Sequence, residues 1–153
     1  FKEIGSDVPV CFYSKNSEVS GTGEIVKKLP YYGKKLWVLL IKPDTFYSTK
    51  DIFNKFNGPY VKKSTFTYTI PNLIKDMNSK KNSLESTVCK VAPKVKELIE
   101  KLPTENCIAK PRISGSGSVV YILFERKKDL VNYKEKLSFG KKIAWCLSSY
   151  LRL

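Results

Sequence analysis

Residues Ile108-Ala109-Lys110-Pro111-Arg112-Ile113-Ser114-Gly115-Ser116-Gly117-Ser118-Val119-Val120-Tyr121-Ile122-Leu123-Phe124-Glu125 read as two strands joined by a glycine loop. Apolar residues dominate Ile108 to Ile113 and Val119 to Glu125, and the intervening Ser-Gly-Ser-Gly-Ser supplies turn chemistry. Downstream, Lys128 to Leu137 has the pattern of an amphipathic helix, and Lys142 to Leu147 that of a last strand. Upstream, Leu84 to Leu102 has helical period but contains Pro93, so two helices are expected, the second starting at that proline. Val95, Leu98, Ile99 and Leu102 form its apolar face. Lys35 to Lys42 is a buried strand ended by Pro43. Ser48-Thr49-Lys50-Asp51 resembles a capping box, opening a helix that carries Ile52, Phe53 and Phe56 inward and stops at Gly58-Pro59. Residues 60–68 read as loop, Ile70 to Met77 as a short helix and Asn78 to Ser83 as a hydrophilic connector. From residue 35 the order is roughly a strand, a run of helices, two strands, a helix and a strand, which predicts an α+β fold, a two-layer sandwich of helices on an antiparallel sheet. Ahead of it, Glu18 to Leu29 has β character interrupted by Gly21-Thr22-Gly23, and Asp7 to Phe12 reads as a short helix start.

The chain has 153 residues, enough for one domain with a real core, and 42% hydrophobic content, ordinary for a globular protein. No internal repeat is visible. The longest apolar run, Leu36 to Ile41, is strand length and far from the roughly 20 residues of a membrane span, so no membrane partner is expected. The start, Phe1-Lys2-Glu3-Ile4, lacks the pattern of a signal peptide and an initiator Met, and is expected to be a cut or processed end. Histidine is absent, which excludes Ser-His and Cys-His dyads, His general bases and Cys/His zinc sites. Cys11, Cys89, Cys107 and Cys146 are scattered among apolar neighbours and read as buried free thiols in a reducing cytoplasm. Any metal would have to be held by carboxylates and phosphates, as Mg²⁺ is.

The formal charge is +14. An anionic partner, either nucleic acid or a phosphorylated metabolite, is one source of selection for such a field. Filling of solvated surface positions by Lys is the other. Of the 28 basic residues only Arg112, Arg126 and Arg152 are Arg, whereas phosphate and base readers favour its bidentate fork. Nucleic acid is therefore not expected as the partner.

Individual residues carry two readings each. A carboxylate just ahead of a helix, as at Asp7, either caps it or accepts a proton from a substrate hydroxyl. Gly115-Ser116-Gly117 is either a tight hairpin turn or a loop whose N–H groups face an anion. Phe53 is either core or a stacking platform, and Thr49 either solvates a helix end or touches a ligand.

Taken together, these segments resemble the second half of the 4-diphosphocytidyl-2-C-methyl-D-erythritol kinases, a family of the galactokinase/homoserine kinase/mevalonate kinase/phosphomevalonate kinase (GHMP) superfamily. The resemblance rests on Gly5-Ser6-Asp7-Val8-Pro9, Gly21-Thr22-Gly23-Glu24 with Leu29-Pro30, Lys42-Pro43, Ser48-Thr49-x-x-Ile52-Phe53, Asn82-Ser83-Leu84-Glu85, and Ser114-Gly115-Ser116-Gly117-Ser118 with the strand to Glu125. It covers roughly residues 4–125.

The resemblance implies a ferredoxin-like C-terminal domain over residues 35–153, preceded over residues 1–34 by the tail end of the N-terminal, ATP-binding domain. It implies transfer of the γ-phosphoryl of ATP, with Mg²⁺, to the 2-hydroxyl of a cytidine diphosphate ester of methylerythritol, a step of non-mevalonate isoprenoid precursor biosynthesis in the cytoplasm. Asp7 would be the base or hydroxyl orienter, Phe53 would stack on the cytosine, and Thr49 would lie beside the substrate. The loop Ser114, Gly115, Ser116, Gly117 and Ser118 would pack against the active site. The family's loop of the form Pro-x-x-x-Gly-Leu-Gly-Ser-Ser-Ala is not in these residues, nor is the Lys partner of the catalytic Asp or the second aromatic of the cytosine clamp. The missing N-terminal half is thus the expected partner, and the fragment alone is expected to turn over negligibly. Another small-molecule kinase of the superfamily, or a basic α+β module that binds nucleic acid without catalysis, are the rival readings.

Overall fold

The computed structural model describes residues 5–59, 69–137 and 142–153. The expected loop at 60–68 and the chain start at 1–4 lie outside these. Twelve elements follow in order: α1 (Val8–Tyr13), β1 (Ser17–Ser20), β2 (Ile25–Lys28), β3 (Lys35–Pro43), α2 (Thr49–Lys55), α3 (Ile70–Ser79), α4 (Glu85–Val91), α5 (Pro93–Lys101), β4 (Ala109–Ile113), β5 (Val120–Phe124), α6 (Lys127–Glu135) and β6 (Ile143–Arg152).

Four strands form one antiparallel sheet in the order β4-β5-β3-β6. Counted from β3, the first strand lies between the third and the fourth, with the second outside, which is the ferredoxin-like order expected above. β1 and β2 pair separately as a hairpin, with Val19 opposite Val26.

β3 is apolar on both faces because both are covered. Leu39 and Ile41, with Ile122 and Phe124 of β5, face the main core, where Ile52 of α2, Val88 of α4, Val95 and Leu98 of α5, and Leu130 and Tyr133 of α6 close over them. Leu36 and Val38, with Leu123, face the other way into a smaller cluster beside Met77, Ile108 and Leu153. The alternation follows from the two-residue period of a strand.

Local signals act as the sequence indicates. Ser48 caps α2, its hydroxyl accepting from the Asp51 N–H at 3.0 Å. Pro93 opens α5, and Ala92 is at once the C-cap of α4 and the N-cap of α5. Three expectations need correction. Phe53 does not point inward with Ile52: neighbouring helix residues diverge by roughly 100°, so Ile52 takes the core, Phe56 follows half-buried at i+4, and Phe53 is 51% exposed. The last strand runs to Arg152 rather than Leu147, because it pairs with the whole of β3 and the chain end closes the ladder through Leu153 N–H to Lys34 O at 2.8 Å. The thiols are not uniformly buried: Cys11 is exposed on α1, while Cys89, Cys107 and Cys146 are half-buried and burial raises their pKa. No described helix is long and apolar enough to cross a membrane.

α3 is tied to the sheet by Arg112 of β4. Its guanidinium donates to the carbonyls of Met77 and Asn78 and lies 3.7 Å from the Glu85 carboxylate. Arg112 is 8% exposed. A charge so enclosed is stable only while its partner is present. Replacing Arg112 with Met strands Glu85 and is expected to cost about 3–5 kcal/mol. The double variant Arg112→Met/Glu85→Met should recover part of that loss in urea unfolding; strictly additive losses would mean the pair is not coupled.

Candidate active site

The hairpin between β4 and β5 is closed by Ser114 N–H to Val119 O at 2.9 Å and by Gly117 N–H to Ser114 O at 2.8 Å. Ser114–Ser118 is thus a tight turn, as one reading of it holds. It is also more than a turn, because side chains from three other segments hold it.

The first is the N-terminal end of α2. Thr49 Oγ1 and Ser116 Oγ lie 2.9 Å apart, sharing a hydrogen bond across 67 residues of sequence. Tyr47, just ahead of the cap, donates its hydroxyl to Ser116 O at 3.0 Å. Burial pushes the Tyr47 phenol up to about 12, so it stays a neutral donor over the ordinary pH range. The second segment is the connector before α4: Asn82 Nδ2 donates to Gly115 O at 2.6 Å and to Ile113 O at 3.3 Å, while its Oδ1 accepts from Leu84 N–H. The third is the end of β3, where Lys42 Nζ reaches Ser118 Oγ at 3.4 Å and Thr45 O at 3.2 Å.

Glycine is needed at 117 for two separate reasons. Its φ is +80°, and a Cβ there would run into the Tyr47 hydroxyl and meet Ile113 at 3.1 Å. Gly115 also has positive φ, at +55°, but faces open space.

Thr49 therefore does not merely solvate a helix end. Phe53, one turn further along α2, presents its ring to solvent. Phe46, in the same approach to the helix, is 96% exposed, the largest value among the exposed apolar side chains of the described residues and a feature no sequence pattern singled out.

Asp7 sits elsewhere. It occupies the N-cap position of α1 but in helical geometry, φ −88° and ψ −9°, with no hydrogen bond from its side chain to the helix. The capping reading thus fails for the carboxylate, which is exposed. Its backbone is held by packing: the Gly21-Thr22-Gly23-Glu24 turn of the β1–β2 hairpin lies against it, and a Cβ at Gly23 would run into Ser6 O. The Glu24 carboxylate locks that turn by accepting from Thr22 N–H at 2.7 Å and Thr22 Oγ1 at 2.8 Å. Two glycine motifs, one at each group, thus do related work. Among the described residues no hydrogen bond or ion pair joins Asp7 to Thr49, Phe53 or the loop, so the expected site is brought together only in part.

Neither does a metal cluster form: among the described residues no three of Cys, Asp and Glu converge. A groove of about 760 Å³ between α6 and β6, lined by Trp37, Leu130 and Tyr150, touches none of these residues.

Tyr47→Phe removes one hydrogen bond to Ser116 and is expected to cost about 1 kcal/mol in chemical unfolding. The phenol titrates higher in the folded than in the unfolded chain. Its contribution is therefore complete below pH about 10 and is lost as pH rises through about 12. Tyr47→Phe should flatten the alkaline fall in stability over that window. Gly117→Ala should cost more, about 1–3 kcal/mol, and adding Tyr47→Phe should recover only the clash with the hydroxyl, leaving the Ile113 contact and the strain of the positive φ.

No protein-family model matches the chain. Similarity to individual proteins is extensive. The 4-diphosphocytidyl-2-C-methyl-D-erythritol kinase of Anaplasma marginale (strain Florida) is 33% identical over 125 residues, covering 80% of this chain and 43% of that protein. The corresponding kinase of Buchnera aphidicola subsp. Schizaphis graminum is 34% identical over 126 residues, covering 82% and 40%. That of Chromobacterium violaceum is 31% identical over 127 residues, covering 83% and 43%. The chain thus spans about two fifths of the length of these relatives. A crystal structure of 4-(cytidine 5'-diphospho)-2C-methyl-D-erythritol kinase superposes with a TM-score of 0.74 at 21% identity, over 97% of this chain and 53% of that one, and shares its fold. On these similarities the chain belongs to the 4-diphosphocytidyl-2-C-methyl-D-erythritol kinase family, as the counterpart of the C-terminal half of its members.

Proposed function

We propose that the protein containing this chain transfers the γ-phosphoryl of ATP to the 2-hydroxyl of 4-diphosphocytidyl-2-C-methyl-D-erythritol, and that this chain supplies the acceptor side of the site. The observation that carries the reading is the Thr49–Ser116 hydrogen bond, which couples the helix bearing Phe53 to the glycine loop. It puts a ring, a hydroxyl and a polar loop into one constellation, as a nucleoside diphosphate ester requires.

Each residue has a role that its surroundings support. Phe53 offers a solvent-facing ring on a capped helix, suited to stacking on cytosine. Thr49, at the start of that ring's helix and bonded to the loop, orients the substrate. The loop borders the phosphates. Asp7, exposed and without a capping bond, accepts the proton of the attacking hydroxyl or orients it. Phosphoryl transfer runs on positioning and on stabilisation of charge at the equatorial oxygens, so little more is needed from the acceptor side.

Residues 1–34 are best read as the tail of the ATP-binding domain. α1 contributes no buried residue, and Phe12 (67%), Tyr31 (67%) and Ile25 (56%) are widely exposed. Apolar exposure of this extent fits a surface that the other half of the protein covers. Residues from that half would then bring ATP and its phosphates up to Asp7 and the loop. Mg²⁺ neutralises phosphate charge in such reactions and takes one or two carboxylates beside phosphate oxygens. The described residues gather no carboxylate cluster for it, and no residue of this chain is assigned to the metal.

The test is a coupled ATPase assay on the full-length protein with this ester as acceptor. Asp7→Asn is expected to lower kcat by about 10²–10⁴. Phe53→Ala is expected to raise KM for the ester roughly five- to a hundredfold, the worth of one stacked base, with KM for ATP little changed. Transfer to a different small alcohol in preference to the cytidine ester would sink the reading. So would polyanion binding, steep in salt and insensitive to Phe53→Ala, as the protein's sole activity.

A further inference from the structure

Among the described residues Lys42 and Lys80 are the lysines that are not exposed. Lys80 is neutralised by Asp76 at 3.0 Å. Lys42 is not: its ammonium contacts only neutral oxygens, Thr45 O at 3.2 Å and Ser118 Oγ at 3.4 Å. The nearby acid Asp44 is turned to Lys94, at 3.9 Å. A half-buried cation without a counter-ion is costly to maintain unless an anion completes it.

The surroundings favour an anion. An ammonium has three donors, and the two contacts leave one unused. In the loop that Lys42 touches, the N–H groups of Gly115, Ser116 and Ser118 donate to no acceptor among the described residues, whereas those of Ser114 and Gly117 are committed to the turn. Positive φ at Gly115 and Gly117 is a backbone form that recurs in anion-binding loops. Placement is fixed by covalent structure. Lys42 is the last residue before Pro43 in β3; it pairs with Trp145 of β6, and its neighbour Ile41 pairs with Val120 of β5. The backbone of Lys42 is therefore held in place by the sheet, and its ammonium lies beside Ser118.

We propose that Lys42 is a phosphate-binding residue, its ammonium and the free N–H groups of the Gly115–Ser118 loop together taking the oxygens of a polyphosphate. The site needs only phosphate chemistry. The kinase reading adds which phosphate it is, since both the triphosphate of ATP and the diphosphate of the cytidine ester would reach this loop.

Full-length protein is titrated with tripolyphosphate by calorimetry at low ionic strength, for the wild type, Lys42→Met and Lys42→Arg. A charge-assisted bond to phosphate predicts a loss of about ten- to a hundredfold in affinity for Lys42→Met. Lys42→Arg, which keeps the charge, should stay within about threefold of wild type, and the ligand-free melting temperatures should agree. Steady-state kinetics separates the two sources: a rise confined to KM for ATP assigns the site to the triphosphate, and one confined to KM for the ester assigns it to the diphosphate. Wild-type tripolyphosphate affinity in Lys42→Met overturns the proposal. Equal losses in Lys42→Met and Lys42→Arg, with a lowered ligand-free melting temperature, also overturn it, since Lys42 would then only brace the loop. Failure of the kinase reading looks different: tripolyphosphate would still bind through Lys42, but no phosphoryl would reach the cytidine ester.

Discussion

β3 is the constraint on which the other elements depend. It is paired along both edges and covered on both faces, with Leu36, Val38, Leu39 and Ile41 all nearly inaccessible. Every strand of the main sheet takes its register from it directly or through β5. Truncating one such side chain typically costs 2–5 kcal/mol, a large part of the roughly 5–15 kcal/mol by which a domain is stable. The strand is also aimed. Its far end delivers Lys42, the turn through Thr45 and the cap of α2, and β5 beside it starts just after the glycine loop. Anything that disturbed the pairing of β3 with β5 would move the two halves of the Thr49–Ser116 contact relative to one another.

The contact itself is a small energy with a large positional effect. Hydrogen bonds of this kind contribute about 1 kcal/mol each to stability. Four polar side chains, Lys42, Tyr47, Thr49 and Asn82, converge on the five residues of the loop. A turn of Ser and Gly alone has high conformational freedom. Held at several points, it becomes a rigid surface, and rigidity is what charge stabilisation in the proposed phosphoryl-transfer site would require. The same logic applies to Asp7, whose short helix has no core of its own and relies on the close approach of the Gly23 turn.

The sheet and most helices were legible because their signals are local. A run such as Leu36 to Ile41, a proline at 93, and a Ser48 followed by Asp51 each carry their meaning within a few residues. The contacts that build the site are not local. Asn82 reaches Gly115 across 33 residues, and Tyr47 reaches Ser116 across 69. No periodicity in the chain marks Tyr47, and the sole sign of Asn82 was its place in the Asn-Ser-Leu-Glu segment. Phe53 was misdirected by treating every apolar residue of α2 as core, although a seven-residue helix can bury only one narrow stripe. The extra length of β6 was hidden because Ser148 and Ser149 are polar and its outer residues are exposed, so alternation is weak there.

On the proposed reading, the exposed apolar surface near the N-terminal end is a face for the remainder of the protein. Scattered exposed apolar residues are normal, but here several fall within residues 12–31, and none of α1 is buried. The core around the β4-β5-β3-β6 sheet includes none of these. A segment with ordered secondary structure, a locked turn and little buried surface is poorly stabilised alone, since ordering each residue costs about 1–2 kcal/mol of backbone entropy. Its order is better accounted for by a second surface lying against it. That surface would complete two things together: the burial of Phe12 and Ile25, and the approach of phosphates to a carboxylate that no residue described here neutralises. Stability of the N-terminal segment and assembly of the reacting centre would then be one event, so substitutions at Gly23, distant from any substrate contact, would act on both.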